Sequence, residues 1–201
     1  FIVASNSRAC PGDDAACANR LTVSSLSKLG LTKTAAAAPN AGMRARTPLL
    51  RSYGGQTWAA WREQLITAKP ENDPPSIVRL AAIDPSGQLS PIVWQTDAHP
   101  DAGAELSVSD QGVLLASGER VEPKLPPQTV GHSRLRLRQF GKAGQELQEL
   151  SIPTTSLTTG TAYSVTTLDQ PRALLVSWTA QGEEAASQSV AYLARFDCAA
   201  P

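Results

Sequence analysis

The chain has 201 residues, with 18 basic and 18 acidic side chains and 41% apolar content. That supports one large domain or part of a bigger one, and recurrent apolar clusters argue against disorder. No run of about 18 apolar residues occurs, so no membrane-spanning helix is expected, and zero net charge without a Lys/Arg block removes the footprint of a nucleic-acid binder.

In chain order the first element is Phe1-Ile2-Val3-Ala4-Ser5, which reads as an apolar strand entered midway, so the chain is expected to be either processed or incomplete at its N-terminus. Three similar runs follow: Thr57-Trp58-Ala59-Ala60-Trp61, Val113-Leu114-Leu115-Ala116-Ser117 and Leu174-Leu175-Val176-Ser177-Trp178. Their starts lie 56, 56 and 61 residues apart. Between them comes a second kind of run that alternates apolar and polar residues: Leu21-Thr22-Val23, Ile77-Val78-Arg79-Leu80, Leu135-Arg136-Leu137-Arg138 and Val190-Ala191-Tyr192-Leu193. Each ends on an anchor, Leu26, Ile83, Phe140 or Phe196, at intervals of 57, 57 and 56 residues. A turn follows the anchor, Asp84-Pro85-Ser86-Gly87 in the second copy and Gly141-Lys142-Ala143-Gly144 in the third. Two landmarks holding one period over four copies define an internal repeat.

Each copy reads as four strands. In the second these are Thr47 to Ser52, Gln56 to Gln64, Ser76 to Asp84 and Gln88 to Thr96. The second strand is continuously apolar, as expected when both faces are covered. The third alternates, as expected of a strand nearer solvent. Ala35 to Ala38 falls where the period places an outer strand, not a helix. Helical periodicity is absent, and 15 prolines and 14 glycines punctuate the connections.

Four antiparallel strands per period predict an all-β fold, a β-propeller of about three and a half blades. The blade portions are approximately 1–38, 44–96, 104–153 and 161–198. Propellers need at least about four blades. The chain is therefore expected to be the C-terminal portion of a ring of roughly six to eight blades. The expected partner is a missing N-terminal portion or a second chain that completes the ring and supplies the last blade's fourth strand.

Trp58 and Trp61 with Ile83-Asp84-Pro85-Ser86-Gly87, and Trp178 with Tyr192-Leu193-Ala194-Arg195-Phe196-Asp197, carry a resemblance to secreted bacterial β-propeller repeats. It covers nearly the whole chain and is shared by sialidase-like, kelch-like and adhesive propellers. It implies a fold and an extracytoplasmic setting, not a reaction. Ser52-Tyr53-Gly54-Gly55-Gln56-Thr57-Trp58 is similar to a sialidase Asp box at its Ser, Thr and Trp, but lacks the aspartate and precedes the wrong strand.

Cys10 and Cys17 bracket six residues of the loop between second and third strands, which suits a disulfide across a hairpin end and an oxidising compartment. The competing reading is two free thiols. Zinc is poorly supported, since neither histidine is near. Cys198 is left over and is a candidate interchain or ring-closure cysteine, or else a buried free thiol or a bond elsewhere. Asp13 and Asp14 fall short of the about six to eight oxygens of a calcium loop. His99, between Asp97 and Asp101, reads as a polar loop residue, and His132 beside Ser133 comes with no nucleophile elbow.

Arg134, Arg136 and Arg138 alternate along one face of a third strand, with Leu135 and Leu137 on the other. The ladder suits a sulfate, a carboxylate or an acidic partner surface, and its alternative is a solvated strand face. Trp61 and Trp178 share one repeat position with Ser5 and Ser117 and read as packing residues before glycan-stacking ones. No catalytic, metal-binding or cofactor-binding set is legible. The expectation is a non-enzymatic extracytoplasmic binding or assembly module (secreted, periplasmic or on the cell surface) with a protein or glycan partner. The alternative is part of a glycan-active hydrolase or lyase whose catalytic residues lie mostly outside this chain.

Overall fold

A computed structural model of the chain describes residues 2–8, 19–27, 30–37, 39–66, 76–91, 94–96, 104–121, 132–154, 163–169, 172–181 and 189–197. All regular structure among them is β. The chain divides into two compact units, Phe1–Pro100 and Asp101–Pro201, each built of two antiparallel sheets.

In the first unit, β1 (Ile2–Arg8), β2 (Asn19–Ser27) and β3 (Gly30–Ala37) form the first sheet in chain order. Strands β4 (Met43–Tyr53), β5 (Gln56–Leu65), β6 (Ser76–Ile83) and β7 (Trp94–Gln95) form the second. In the second unit, β8 (Ala104–Ser109), β9 (Gly112–Val121), β10 (His132–Phe140) and β11 (Glu146–Thr154) make the third sheet. The fourth consists of β12 (Tyr163–Asp169), β13 (Arg172–Gln181) and β14 (Ser189–Asp197). Ala35 and Ala37 lie in β3, in an outer strand as the period requires.

The two landmarks of the repeat are cross-strand partners. Thr57 faces Ile83, Val113 faces Phe140 and Leu174 faces Phe196, so the first residue of each apolar run is paired with its anchor. Beyond the anchor the chain reverses in the same way twice. Gly87 N–H donates to Asp84 O at 2.9 Å and Asp84 N–H to Gln88 O at 3.0 Å, and Gly144 N–H and Gly141 N–H do the same with Gly141 O and Gln145 O. The turn needs a positive φ at its fourth residue, and Gly87 (85°) and Gly144 (86°) supply it.

Packing differs by unit. Leu21 and Val23 of the first sheet pack against Ala45, Ala59, Trp61, Ala81 and Ile83 of the second, with Ala35, Leu50 and Leu89 at the margin. In the second unit Ala116, Leu135 and Leu137 of the third sheet pack against Val165 and Val176 of the fourth. One face of each sheet thus meets the opposite face of the next sheet within its unit.

Three expectations for the second copy are corrected. Its first strand is longer, because Thr47 and Pro48 are absorbed as a bulge between Arg46 and Leu49, with Thr47 at φ 44°. Its fourth strand is not continuous over 88–96: Leu89 makes an isolated bridge to Ile83, and among the described residues only Trp94–Gln95 forms a ladder. Pro91 stands between them and has no N–H to donate. Its third strand is not near solvent. Every residue of β6 but Ala82 is buried, because β6 is an inner strand and its one charged residue, Arg79, is paired internally.

Candidate functional site

Two ion pairs recur at one repeat position, the first buried and the second partly exposed. In the second sheet Glu63 is fully buried. Its Oε1 accepts from Trp61 Nε1 at 3.1 Å and lies 3.2 Å from the Arg79 guanidinium. Its Oε2 accepts the Asn40 backbone N–H at 2.9 Å, and Arg79 also donates to Asn40 Oδ1. Each charge in this centre has an ionic or hydrogen-bonding partner, as a buried pair requires, although the buried Arg79 Nε itself makes no hydrogen bond. The corresponding positions of the third sheet hold Glu119 and Arg136, with Nε and Oε2 2.5 Å apart.

The Arg134, Arg136 and Arg138 ladder is brought together on one face of β10 and is met there by carboxylates of both flanking strands. Glu119 of β9 lies 3.5 Å from Arg134 and 3.4 Å from Arg138. Glu149 of β11 accepts from Arg136 and, at 2.9 Å, from Arg138 Nε. Glu146 stands 3.9 Å from Arg138. Three cations thus face three acids. A free anion would have to displace these carboxylates, so the geometry favours a network that ties β9, β10 and β11 together. Sequence reasoning missed Glu119, Glu146 and Glu149. The signal was present in Glu119, which follows Glu63 by 56 residues.

Trp61 and Trp178 diverge despite their shared position. Trp61 is buried in the core. Trp178 is half-buried and stacks on Tyr192, with ring centroids 5.3 Å apart and planes 12° from parallel. Cys10, Cys17, Cys198, His99, Asp13 and Asp14 lie outside the described residues. His132 is placed only as the first residue of β10.

Among the described residues of the second unit the exposed large apolar side chains lie on β11 (Leu147 and Leu150) and on β14 (Tyr192 and Leu193). Leu193 occupies the repeat position of Val23, Leu80 and Leu137, which are 0%, 0% and 2% exposed, yet Leu193 is 73% exposed. Ala191, in the place of the buried Leu21, Val78 and Leu135, is exposed as well. Beside β14 a cleft of about 510 Å³ opens between the third and fourth sheets. Leu114, Leu137, Leu174 and Phe196 give it an apolar lining, and Gln139 and Gln148 a polar one. The Ser109–Gly112 turn borders it, and Leu150, also in its wall, is 40% exposed. Ser107 Oγ and Thr167 Oγ1, 3.2 Å apart, join β8 to β12. Chemically the region offers apolar contact area, amides and a strand edge that is unpaired among the described residues.

No family model matches the chain, and no match to a curated protein was found.

Proposed function

We propose that the protein is a non-enzymatic, extracytoplasmic binding or assembly module, part of a larger β-propeller completed by another segment or chain. The observation that carries this reading is the exposure of Leu193. The same position is core in the three other sheets, and burying a leucine is worth about 1.5–3 kcal/mol. A repeat that leaves this position uncovered has a face suited to receiving another sheet. The four sheets of one register, each an antiparallel meander in chain order, support the propeller reading.

Hydroxyl-radical footprinting of native material tests the proposal. Leu193 is expected to be protected in native material and readily oxidised in the isolated 201-residue chain. Equal oxidation in both would overturn the reading.

A further inference from the structure

We infer that Arg44 and Arg46 of β4, with Arg62 of β5 beside them, form a binding site for a tetrahedral dianion of the phosphate class, either the free ion or a terminal phosphate monoester. The site lies within the first unit and does not depend on the assembly reading.

The bulge in β4 makes the site. Between Arg46 and Leu49 the strand takes one residue more than β5 does between Ala60 and Arg62. That extra residue reverses the alternation of faces. Without it Arg46 would share the face of Leu50, which packs on the inter-sheet core. With it Ala45 joins the core, and Arg44 and Arg46 lie on the other face, opposite Gln64 and Arg62. Thr47 inside the bulge is held at φ 44°, a strain of the kind that collects at binding sites. The segment is also an addition to the repeat. β8 and β12 begin opposite Ser117 and Trp178, the counterparts of Trp61, so among the described residues neither reaches the places of Arg44 and Arg46.

Charge is unbalanced on this face. The described carboxylates of the first unit are Glu63 and Asp84. Glu63 is taken up by Arg79 on the opposite face, and Asp84 by Ser86 and Gln88 in its turn. Arg44 reaches the Gln64 Oε1 at 3.4 Å, while the Nε atoms of Arg44 and Arg46 are buried without a hydrogen-bond acceptor. Arg62 stands directly across from Arg46, a like-charge pairing that weakens a sheet, and its Nε donates to Ser76 Oγ at 2.8 Å. Burial, and after it the charge of Arg46, holds the Arg44 guanidinium below its ordinary value. The ladder of β10 is the contrast, since its three arginines face Glu119, Glu146 and Glu149.

The ligand's chemistry follows from this arrangement. Arg44 and Arg46 stand two residues apart on one strand, with Cα atoms about 6–7 Å apart, so their guanidinium forks meet a small ligand from different sides. A carboxylate is planar and its two oxygens are filled by one fork. A tetrahedral dianion offers separate oxygens to two or three arginines and offsets more of their charge.

The test is ³¹P NMR of inorganic phosphate, and in a second series of methyl phosphate, titrated with the native protein at low ionic strength. A Kd on the order of 1 mM is expected for inorganic phosphate. Arg44→Gln and Arg46→Gln are each expected to weaken binding at least about tenfold. Arg51→Gln, the same charge change elsewhere on β4, is expected to leave it unchanged. Acetate is expected to compete at least about tenfold less well than phosphate on the unaltered protein, a readout that no loss of folding can mimic. Methyl phosphate binding as tightly as inorganic phosphate assigns the site to a phosphate monoester, and binding of inorganic phosphate alone assigns it to the free ion. No binding up to about 20 mM phosphate, an equal loss in Arg51→Gln, or acetate competing as well as phosphate would each overturn the site.

Discussion

The Arg79 guanidinium lies 3.2 Å from the carboxylate of Glu63, and both side chains are almost completely withdrawn from solvent. Removing one partner of such a pair strands the other charge in the core. Glu63→Ala is expected to cost about 3–5 kcal/mol. The corresponding Glu119→Ala is expected to cost about 1 kcal/mol, because Glu119 is partly exposed and Arg136 and Arg138 keep Glu149. Urea unfolding followed by tryptophan fluorescence reads the first substitution well, since Trp58, Trp61 and Trp94 all lie in the first unit. The second is read on Trp178. Equal losses would contradict the inequality of the two centres.

Backbone geometry makes a sharper prediction at Gly112. Its φ is 120°, and a Cβ there would stand 2.1 Å from the Phe140 carbonyl oxygen. Gly112→Ala is therefore expected to destabilise the second unit by roughly 3 kcal/mol. An unchanged denaturation midpoint would show that the close approach of β9 to the end of β10 is not required.

The reverse applies at Thr47, a β-branched residue at φ 44° in the β4 bulge. Thr47→Gly relieves that conformation and is expected to raise stability by up to about 1 kcal/mol, measured as a rise in the urea midpoint. A loss of stability would mean that the threonine side chain contributes more than its backbone costs.

Legibility in the sequence varied with the range of the interaction. The period was readable because Thr57, Val113 and Leu174 and the anchors Ile83, Phe140 and Phe196 stand at fixed spacing, and they prove to be direct cross-strand partners. The interruption of the outer strand at Pro91 was also encoded locally. The Glu63–Arg79 centre was not legible, because a diagonal contact depends on strand register, and register depends on loop lengths that pattern alone does not give. The Arg ladder was visible as one face of β10, while its neutralisation by Glu119 and Glu149 depends on the flanking strands. The cleft arises from packing between sheets, which no local pattern records.

Asp84 gives a pH-dependent prediction. The Ser86 hydroxyl donates to its Oδ1 at 2.6 Å and the Gln88 N–H at 2.9 Å, and these bonds, the hydroxyl first, hold its carboxyl below the ordinary value. A depressed folded value means that the turn's contribution is fully present above about pH 4 and is lost as pH falls through the folded value. NMR titration should show Asp84 ionising below an ordinary aspartate, and Ser86→Ala should move it upward. An Asp84 that titrates like a free aspartate would contradict the turn geometry.

The mass of the native particle, measured by light scattering in solution, tests the assembly account most directly. The account predicts a particle heavier than the 21.2 kDa of these 201 residues, with Leu193 covered by an additional sheet. A particle of 21.2 kDa with Leu193 still exposed would contradict it.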